Sequence, residues 1–202
     1  KQEFNKASSM ANAFAQFGAV NCDLEENKQL CARNNVKGFP TIKVFRPPKK
    51  FREETERTFQ FFSDVYNGER NANRLVDHVK GKVRNLTKKT LSSKLPLLME
   101  SGTRNVLLVT NEQSVPPLLK GLAIDFENEA TFHYITAKTK KARDDIKEIL
   151  GVKEKLKGNT LLYIDENGEI NVYDGLIERD GMGEFLSQFL AASDGPQSER
   201  SN

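Results

Sequence analysis

The chain has 202 residues, of which 37% are apolar and 29% charged, a balance typical of globular proteins with room for one large or two small cores. Its net charge of +3 comes from 31 basic and 28 acidic residues that are interleaved, so we expect no nucleic-acid partner. No apolar run approaches the ~18 residues of a membrane-spanning helix, so we expect no membrane segment.

An amphipathic helix is predicted at the start of the chain, over about residues 1–17. Its apolar residues recur at helical spacing: Phe4, Ala7, Ala11 and Phe14. No capping residue or turn stands before Lys1. We therefore expect this helix to begin in mid-course, with a further part of the protein upstream.

A strand, a helix and a second strand are predicted next, over residues 19–23, 25–34 and 41–45. The second strand follows the turn Gly38-Phe39-Pro40-Thr41 and is rich in β-branched and aromatic residues. Proline at the mouth of a strand removes a ladder donor, so it is tolerated at the first strand residue or in a special turn. The bond before it is a plain trans link or a cis one.

The two cysteines, Cys22 and Cys31, are not spaced as Cys-x-x-Cys and have no companion Cys/His set, so we expect no zinc site. Cys22 would end a strand, and the helix with Cys31 could fold back beside it. A disulfide there would close a loop of about ten residues, stabilise by roughly 2 to 3 kcal/mol and indicate an oxidising compartment. The alternative is two buried free thiols in a reducing compartment.

A charged insertion over residues 46–64 is longer than a usual hairpin loop, and we expect its tip to be mobile. A strand at 58–65 and a helix at 73–83 follow and complete a first domain. His78 lies on that helix among charged residues, so we expect it to face solvent.

The second half repeats this order without a cysteine. Strands are predicted at 83–86, 106–110, 131–136, 161–165 and 170–173, and helices at 91–100, 141–150 and 182–190. Pro96 marks the true start of its helix or a kink in it, and Ser114 is expected to cap a further helix that begins at Pro116 and Pro117. His133 is expected to be a hydrogen-bonded structural histidine.

Several segments of the first half together resemble the protein disulfide isomerase family of the thioredoxin superfamily, and most of all its fungal endoplasmic-reticulum members. The segments are Asn21-Cys22-Asp23-Leu24, Leu30-Cys31-Ala32, Gly38-Phe39-Pro40-Thr41, Val44-Phe45-Arg46-Pro47-Pro48 and Tyr66-x-Gly68-x-Arg70. The similarity covers about residues 1–83. The family's Cys-x-x-Cys does not occur in this chain, and the resemblance implies that it lies upstream of Lys1.

The resemblance implies an α/β fold of two tandem thioredoxin-like domains, each with three α/β/α layers around a mixed sheet. Residues 1–83 would form a redox-type domain that lacks its first strand and its redox motif. Residues 84–192 would form a redox-inactive domain, and residues 193–202 a disordered tail or linker.

The activity that the resemblance implies is thiol–disulfide exchange by the parent protein, with this chain inactive alone. Pro40 would follow a cis bond, and Phe39, Pro40 and Thr41 would bind an extended client peptide. Arg70 would lower the pKa of a reactive thiol, whereas Cys22 and Cys31 would form a structural disulfide. No metal or other cofactor is expected.

The expected partners are unfolded or misoxidised client polypeptides in the endoplasmic reticulum lumen, with a thiol oxidase or chaperone as a further partner of a monomeric protein. The triplet Asn85-Leu86-Thr87 is an N-glycosylation acceptor sequence and supports that compartment. Two alternatives stay open. One is a non-catalytic client-binding or chaperone module, and the other is a fragment of a sulfhydryl oxidase.

Overall fold

The structure of the protein is a computed structural model that describes residues 1–46 and 62–190. It divides into two compact units, the first spanning Lys1–Val83 and the second beginning at Arg84. The tip of the charged insertion and the C-terminal tail, on which the sequence made predictions, lie outside the described residues. No helix within 1–46 and 62–190 is long and apolar enough to cross a membrane.

Three helices form most of the first unit: α1 (Gln2–Ala11), α2 (Glu25–Arg33) and α3 (Ala72–Lys82). The apolar faces of α1 and α3 pack together. The buried residues of this core are Ala7, Ala11, Ala72, Leu75 and Val76. Small side chains on α1 bring the two helix backbones close, and larger residues close the rim of the core: Phe4, Phe14, Phe17, Ile42 and Tyr66.

The first helix is shorter than its periodicity predicted. It ends at Ala11, where the backbone N–H groups of Phe14 and Ala15 both donate to the Ala11 carbonyl in a closing turn. The chain then folds back, and the Phe17 ring packs edge-on against Phe4 with 5.1 Å between ring centroids. Tertiary packing of the aromatic residues therefore ends the helix early, although the same apolar residues reach the core.

The sheet of the first unit has two antiparallel strands within the described residues, β1 (Lys43–Arg46) and β2 (Phe62–Val65), with Val44 opposite Asp64. The prediction of a strand over residues 19–23 is wrong. That segment pairs with no strand in the described chain, and the Asn21 side chain instead accepts a hydrogen bond from the Asp23 amide. A strand exists only through its partner, so an unpaired segment forms local turns.

The second unit contains a five-stranded mixed sheet in the order β3-β5-β4-β6-β7. The strands are β3 (Lys88–Lys89), β4 (Asn105–Thr110), β5 (Thr131–Thr136), β6 (Asn159–Ile164) and β7 (Ile170–Val172). β3, β5 and β4 run parallel to one another, whereas β6 is antiparallel to both of its neighbours, β4 and β7. The mixed sheet is the one that the predicted fold class requires.

Helices cover both faces of this sheet: α4 (Leu95–Met99), α5 (Pro117–Asp125), α6 (Lys140–Leu150) and α7 (Arg179–Leu190). All six residues of β4 are buried, and they alternate between two cores. Val106 and Leu108 face α5 and α7, whereas Leu107 and Val109 face α4 and α6. This three-layer α/β/α arrangement confirms the fold predicted for the second half.

Two details of the second unit differ from the prediction. The strand expected at 83–86 is wrong, because the strand that joins the sheet is β3, whose Lys88 lies opposite His133. Ser114 is not a helix cap, since α5 begins after Pro116 and receives no side-chain cap. Proline at the first helical position has no N–H group that needs a partner, so α5 starts at Pro117 without a cap from the Ser114 hydroxyl. Pro96 likewise stands in the first turn of α4.

Candidate functional site

The turn that precedes β1 presents its apolar side chain to solvent. The Phe39–Pro40 peptide bond is cis, and the Phe39 side chain is 71% exposed. The Thr41 hydroxyl donates to the Gly38 carbonyl at 2.5 Å, across the base of the turn. No hydrogen bond involves the backbone of Phe39 within residues 1–46 and 62–190, so both its N–H and its C=O are available to a ligand.

Arg70 lies at this turn although 30 residues separate it from Pro40. Its Nη2 donates to the Pro40 carbonyl at 3.1 Å. The guanidinium is exposed and keeps further N–H donors beyond this bond. The turn therefore combines an exposed aromatic ring, an unpaired stretch of backbone and a fixed positive charge.

β1 continues from the turn with one edge paired and the other unpaired. The Tyr66 amide donates to the Ile42 carbonyl at 2.8 Å, which makes Ile42 and Tyr66 a hydrogen-bonded pair. Because such pairs alternate along an antiparallel ladder, the backbone groups of Lys43 and Phe45 point away from β2. No strand pairs with that edge in the described part of the chain. The unpaired edge runs directly into the Pro40 turn.

The first turn of α1 lies at the same end of the unit as Pro40. The Glu3 carboxylate accepts a hydrogen bond from the Ala72 amide at 2.8 Å, at the beginning of α3. Ala72 follows Arg70 by two residues, and Arg70 holds the Pro40 carbonyl. Residues 70–72 thus connect the start of α1 with the turn, so the positive end of the α1 dipole belongs to the same region.

Cys22 and Cys31 form a disulfide that connects residues 9 apart, with Cα atoms separated by 6.0 Å. Cys31 is buried on α2, as the predicted helix at 25–34 requires. The end of α2 also contacts β1, since the Lys43 ammonium donates to the Asn34 carbonyl at 2.9 Å. The chain contains no other cysteine. Neither sulfur is therefore available as a thiolate while this bond is intact.

An ionic cluster that joins β1, β2 and the end of α3 was not predicted from the sequence. The Asp64 carboxylate on β2 accepts from Lys82 at 3.0 Å and from Arg46 at 2.9 Å. The hydrogen bond from Lys82, together with the nearby Arg46 charge, holds the pKa of Asp64 below its usual range despite desolvation. The sequence indicates this cluster only through charged residues that lie on amphipathic strands and a helix. The cluster fixes the end of α3 to the sheet.

His78 is not solvent-facing as predicted. It is half-buried, and its ring packs at a tilt of 59° against that of Tyr66, with 4.8 Å between ring centroids. Its Nε2 is buried and has no hydrogen-bond partner in the described chain. The Tyr66 hydroxyl in turn donates to the Glu69 carbonyl at 2.7 Å. The helix periodicity could not show this contact, because it depends on where β2 ends.

His133 in the second unit is a hydrogen-bonded core residue, as predicted. It is buried on β5, and its Nε2 lies 3.2 Å from Asn105 Oδ1. Burial, with the nearby Lys88 charge, lowers the pKa of His133 to about 4, so the imidazole is neutral at physiological pH. The second unit has no cysteine and offers no group for thiol chemistry.

No family model matches the chain. Protein disulfide-isomerase MPD1 of Saccharomyces cerevisiae is 30% identical over 226 residues, which cover 98% of this chain and 70% of the yeast protein. A mitochondrial thioredoxin domain-containing protein of Schizosaccharomyces pombe is 25% identical over 194 residues and is matched over 50% of its own length.

A crystal structure of ERdj5 (form II) matches 93% of this chain and 24% of its own chain, with a TM-score of 0.54 at 14% identity. At that identity the likeness shows the fold alone, and the fold is thioredoxin-like. The yeast relative adds the family, because it is aligned over almost all of this chain and most of its own length. The chain therefore belongs to the protein disulfide isomerase family.

Proposed function

We propose that the protein catalyses thiol–disulfide exchange on client proteins of the secretory pathway. The first unit would present an extended client at Phe39, Pro40 and Thr41, and the second would be its cysteine-free companion. The observation that carries this proposal is the meeting of the exposed Phe39-Pro40 turn with Arg70 near the start of α1. The family to which the chain belongs supports the reaction class.

The reactive dithiol of the proposed reaction comes from outside these 202 residues. Cys22 and Cys31 are joined to each other, and the sequence has no third cysteine. A dithiol placed just before α1 would approach the Pro40 turn, because residues 70–72 connect the two. The α1 dipole and the Arg70 guanidinium would both favour its thiolate. A strand that carried the dithiol could pair with the free backbone groups at the unpaired edge of β1.

Each step of the proposed exchange is a thiolate displacement that needs no metal or nucleotide, and only net oxidation or reduction of the client requires a redox partner. The thiolate attacks one sulfur of a client disulfide, a mixed disulfide forms, and the other client sulfur leaves as a thiolate. The second thiol of the dithiol, or the client's own thiolate, then breaks the mixed disulfide. Pairing of the client backbone with Phe39 would hold the scissile bond beside the attacking sulfur.

We place the reaction in the endoplasmic reticulum lumen. The Cys22–Cys31 disulfide supports an oxidising compartment, and among extracytosolic compartments the family's reaction class favours this one. The S. pombe relative is named as mitochondrial, which makes that organelle the competing location. A thiol oxidase that reoxidises the dithiol, or a chaperone, would act with the monomeric protein.

A non-catalytic client-binding module is the second candidate, and a sulfhydryl oxidase fragment is a weaker one. The exposed Phe39 ring beside an unpaired backbone favours peptide binding whether or not chemistry follows. The catalytic protein and the binding module differ in whether the full-length protein contains a reactive dithiol. An oxidase would in addition need a flavin-bearing domain.

The test compares the full-length protein with the 202-residue chain in the refolding of scrambled ribonuclease and in insulin reduction. We expect activity from the full-length protein and none from the chain alone. Activity of the chain alone would identify Cys22–Cys31 as the reactive pair and refute the external dithiol. Inactivity of both, with client binding retained, would establish the non-catalytic module.

A further inference from the structure

One surface triplet has no part in the proposed exchange chemistry. Asn85-Leu86-Thr87 is the single Asn-x-Ser/Thr triplet of the 202 residues, and its middle residue is not proline. It follows α3, which ends at Lys82, and precedes β3, which begins at Lys88. The triplet thus lies outside helices and strands, in the kind of loop that glycosylated asparagines occupy.

The side chains of the triplet point in different directions. Leu86 packs against the core formed by β4, α5 and α7, whereas Asn85 is exposed. Because Asn85 is exposed while Leu86 is packed, a group attached to Asn85 would project away from that core. A bulky substituent there would displace no packed side chain.

The polar atoms of the triplet are arranged so that the amide nitrogen stays available. Asn85 Oδ1 accepts from the Thr87 hydroxyl at 2.7 Å and from the Thr87 backbone amide at 3.1 Å. Asn85 Nδ2 makes no hydrogen bond within residues 1–46 and 62–190. The oxygen is occupied and the nitrogen is unpaired, so a group attached at the nitrogen would break no hydrogen bond of the described residues.

We propose that Asn85 carries an N-linked oligosaccharide. The inference deepens the proposed function and rests on it for the compartment, since the modification occurs in the secretory pathway. The sugar donor is an oligosaccharide on a polyprenyl pyrophosphate. Its anomeric carbon forms a bond to Asn85 Nδ2 while the bond from that carbon to the phosphate oxygen breaks. One amide proton is released, the lipid pyrophosphate leaves, and nothing is oxidised or reduced.

The experiment uses the full-length protein made in a eukaryotic secretory host. We expect digestion with peptide-N-glycosidase to convert Asn85 into aspartate, detected by peptide mass spectrometry, and to lower the apparent mass by one step that belongs to Asn85. The variants Asn85→Gln and Thr87→Ala should both lack the step, and Thr87→Ser should keep it. Asn171→Gln is the control, because that asparagine lies outside such a triplet and should leave the step unchanged.

Two measurements on the same samples separate this inference from the proposed function: ribonuclease refolding activity and fractionation of the organelles. An unshifted protein that refolds ribonuclease and fractionates with the lumen would overturn glycosylation alone. An unshifted protein with no exchange activity, or one found in mitochondria, would overturn both. A shift of undiminished size in both Asn85→Gln and Thr87→Ala would also refute Asn85 as an acceptor.

Discussion

Arg70 has a contact that periodicity alone could not supply. Its guanidinium holds the Pro40 carbonyl at 3.1 Å, across 30 residues of sequence. The same side chain brings a permanent positive charge to the turn, since arginine does not deprotonate in proteins. One residue therefore holds the turn and, under the proposed function, would also stabilise a thiolate that approaches it.

Replacement of Arg70 by glutamine should raise the pKa of the reactive thiol in the full-length protein. The variant keeps a polar donor near Pro40 but removes the charge that favours a thiolate. The pH profile of thiol alkylation is expected to move to higher pH, whereas Arg70→Lys should restore most of the shift. Arg74→Gln on α3 is the matched control. If the alkylation profile of Arg70→Gln were identical to that of the wild type, the charge of Arg70 would have no effect on the pKa of the thiol.

Replacement of Phe39 by serine should weaken client binding while leaving the fold intact. The ring is 71% exposed, so little apolar area is lost from the folded state. We expect a higher KM for peptide substrates with a small change in kcat, and an unchanged unfolding midpoint. Leu30→Ser, which removes a 49% exposed apolar side chain on α2, is the control. An equal effect of both variants on KM would show that the turn has no special part in binding.

His133 makes the stability of the second unit depend on pH. Its folded pKa of about 4 lies below the value of 6.5 expected when unfolded, so only the unfolded state takes up a proton between these values. Stability should be greatest above pH 6.5, fall towards pH 4 by at most about 3 kcal/mol, and level off below. His133→Gln should flatten that part of the profile in urea unfolding. If the stability of His133→Gln fell with pH in parallel with that of the wild type, the loss of stability would have to come from carboxylates.

At the scale of elements, sequence patterns succeed where a segment and its partners lie within the chain. β4 and β5 were predicted within one residue, β4 because its nearly continuous apolar run identifies a strand buried on both faces. Residues 19–23 were also predicted as a strand but form none, since nothing in the described chain pairs with them. The cis bond before Pro40 and the Cys22–Cys31 disulfide were predicted through the family resemblance, because the residues alone left a trans bond and free thiols open. The Arg70 contact and the Asp64 cluster depend on tertiary placement.

The Cys22–Cys31 disulfide connects the segment before α2 to that helix, and its removal should destabilise the first unit. For two cysteines separated by 9 positions in the sequence, the chain-entropy estimate is roughly 2 to 3 kcal/mol. The double variant Cys22→Ala/Cys31→Ala should lose that amount in denaturant unfolding. Dithiothreitol should destabilise the wild type similarly and leave the variant unchanged. Equal stability of the oxidised wild type and the variant would show that the bond is dispensable.

At the scale of the whole molecule, the two units differ in how completely they bury their apolar residues. The second unit covers both faces of a five-stranded sheet with its own helices. The first has five buried core residues and a two-stranded sheet within the described residues. Two strands alone are marginally stable in water, so the first unit depends on its helices and on whatever pairs with β1.

The second unit should therefore fold by itself, whereas the first should not do so to the same degree. A fragment of residues 84–190 is expected to unfold cooperatively, with dispersed amide signals in NMR spectra, because every strand of its sheet has a partner inside it. A fragment of residues 1–83 should show weaker amide protection from hydrogen exchange, concentrated in α1 and α3, where its core lies. The two fragments are prepared in the same way, so that each serves as the control for the other. If residues 84–190 lacked cooperative unfolding while residues 1–83 kept it, stability would have to come from contacts other than the two cores of the second unit.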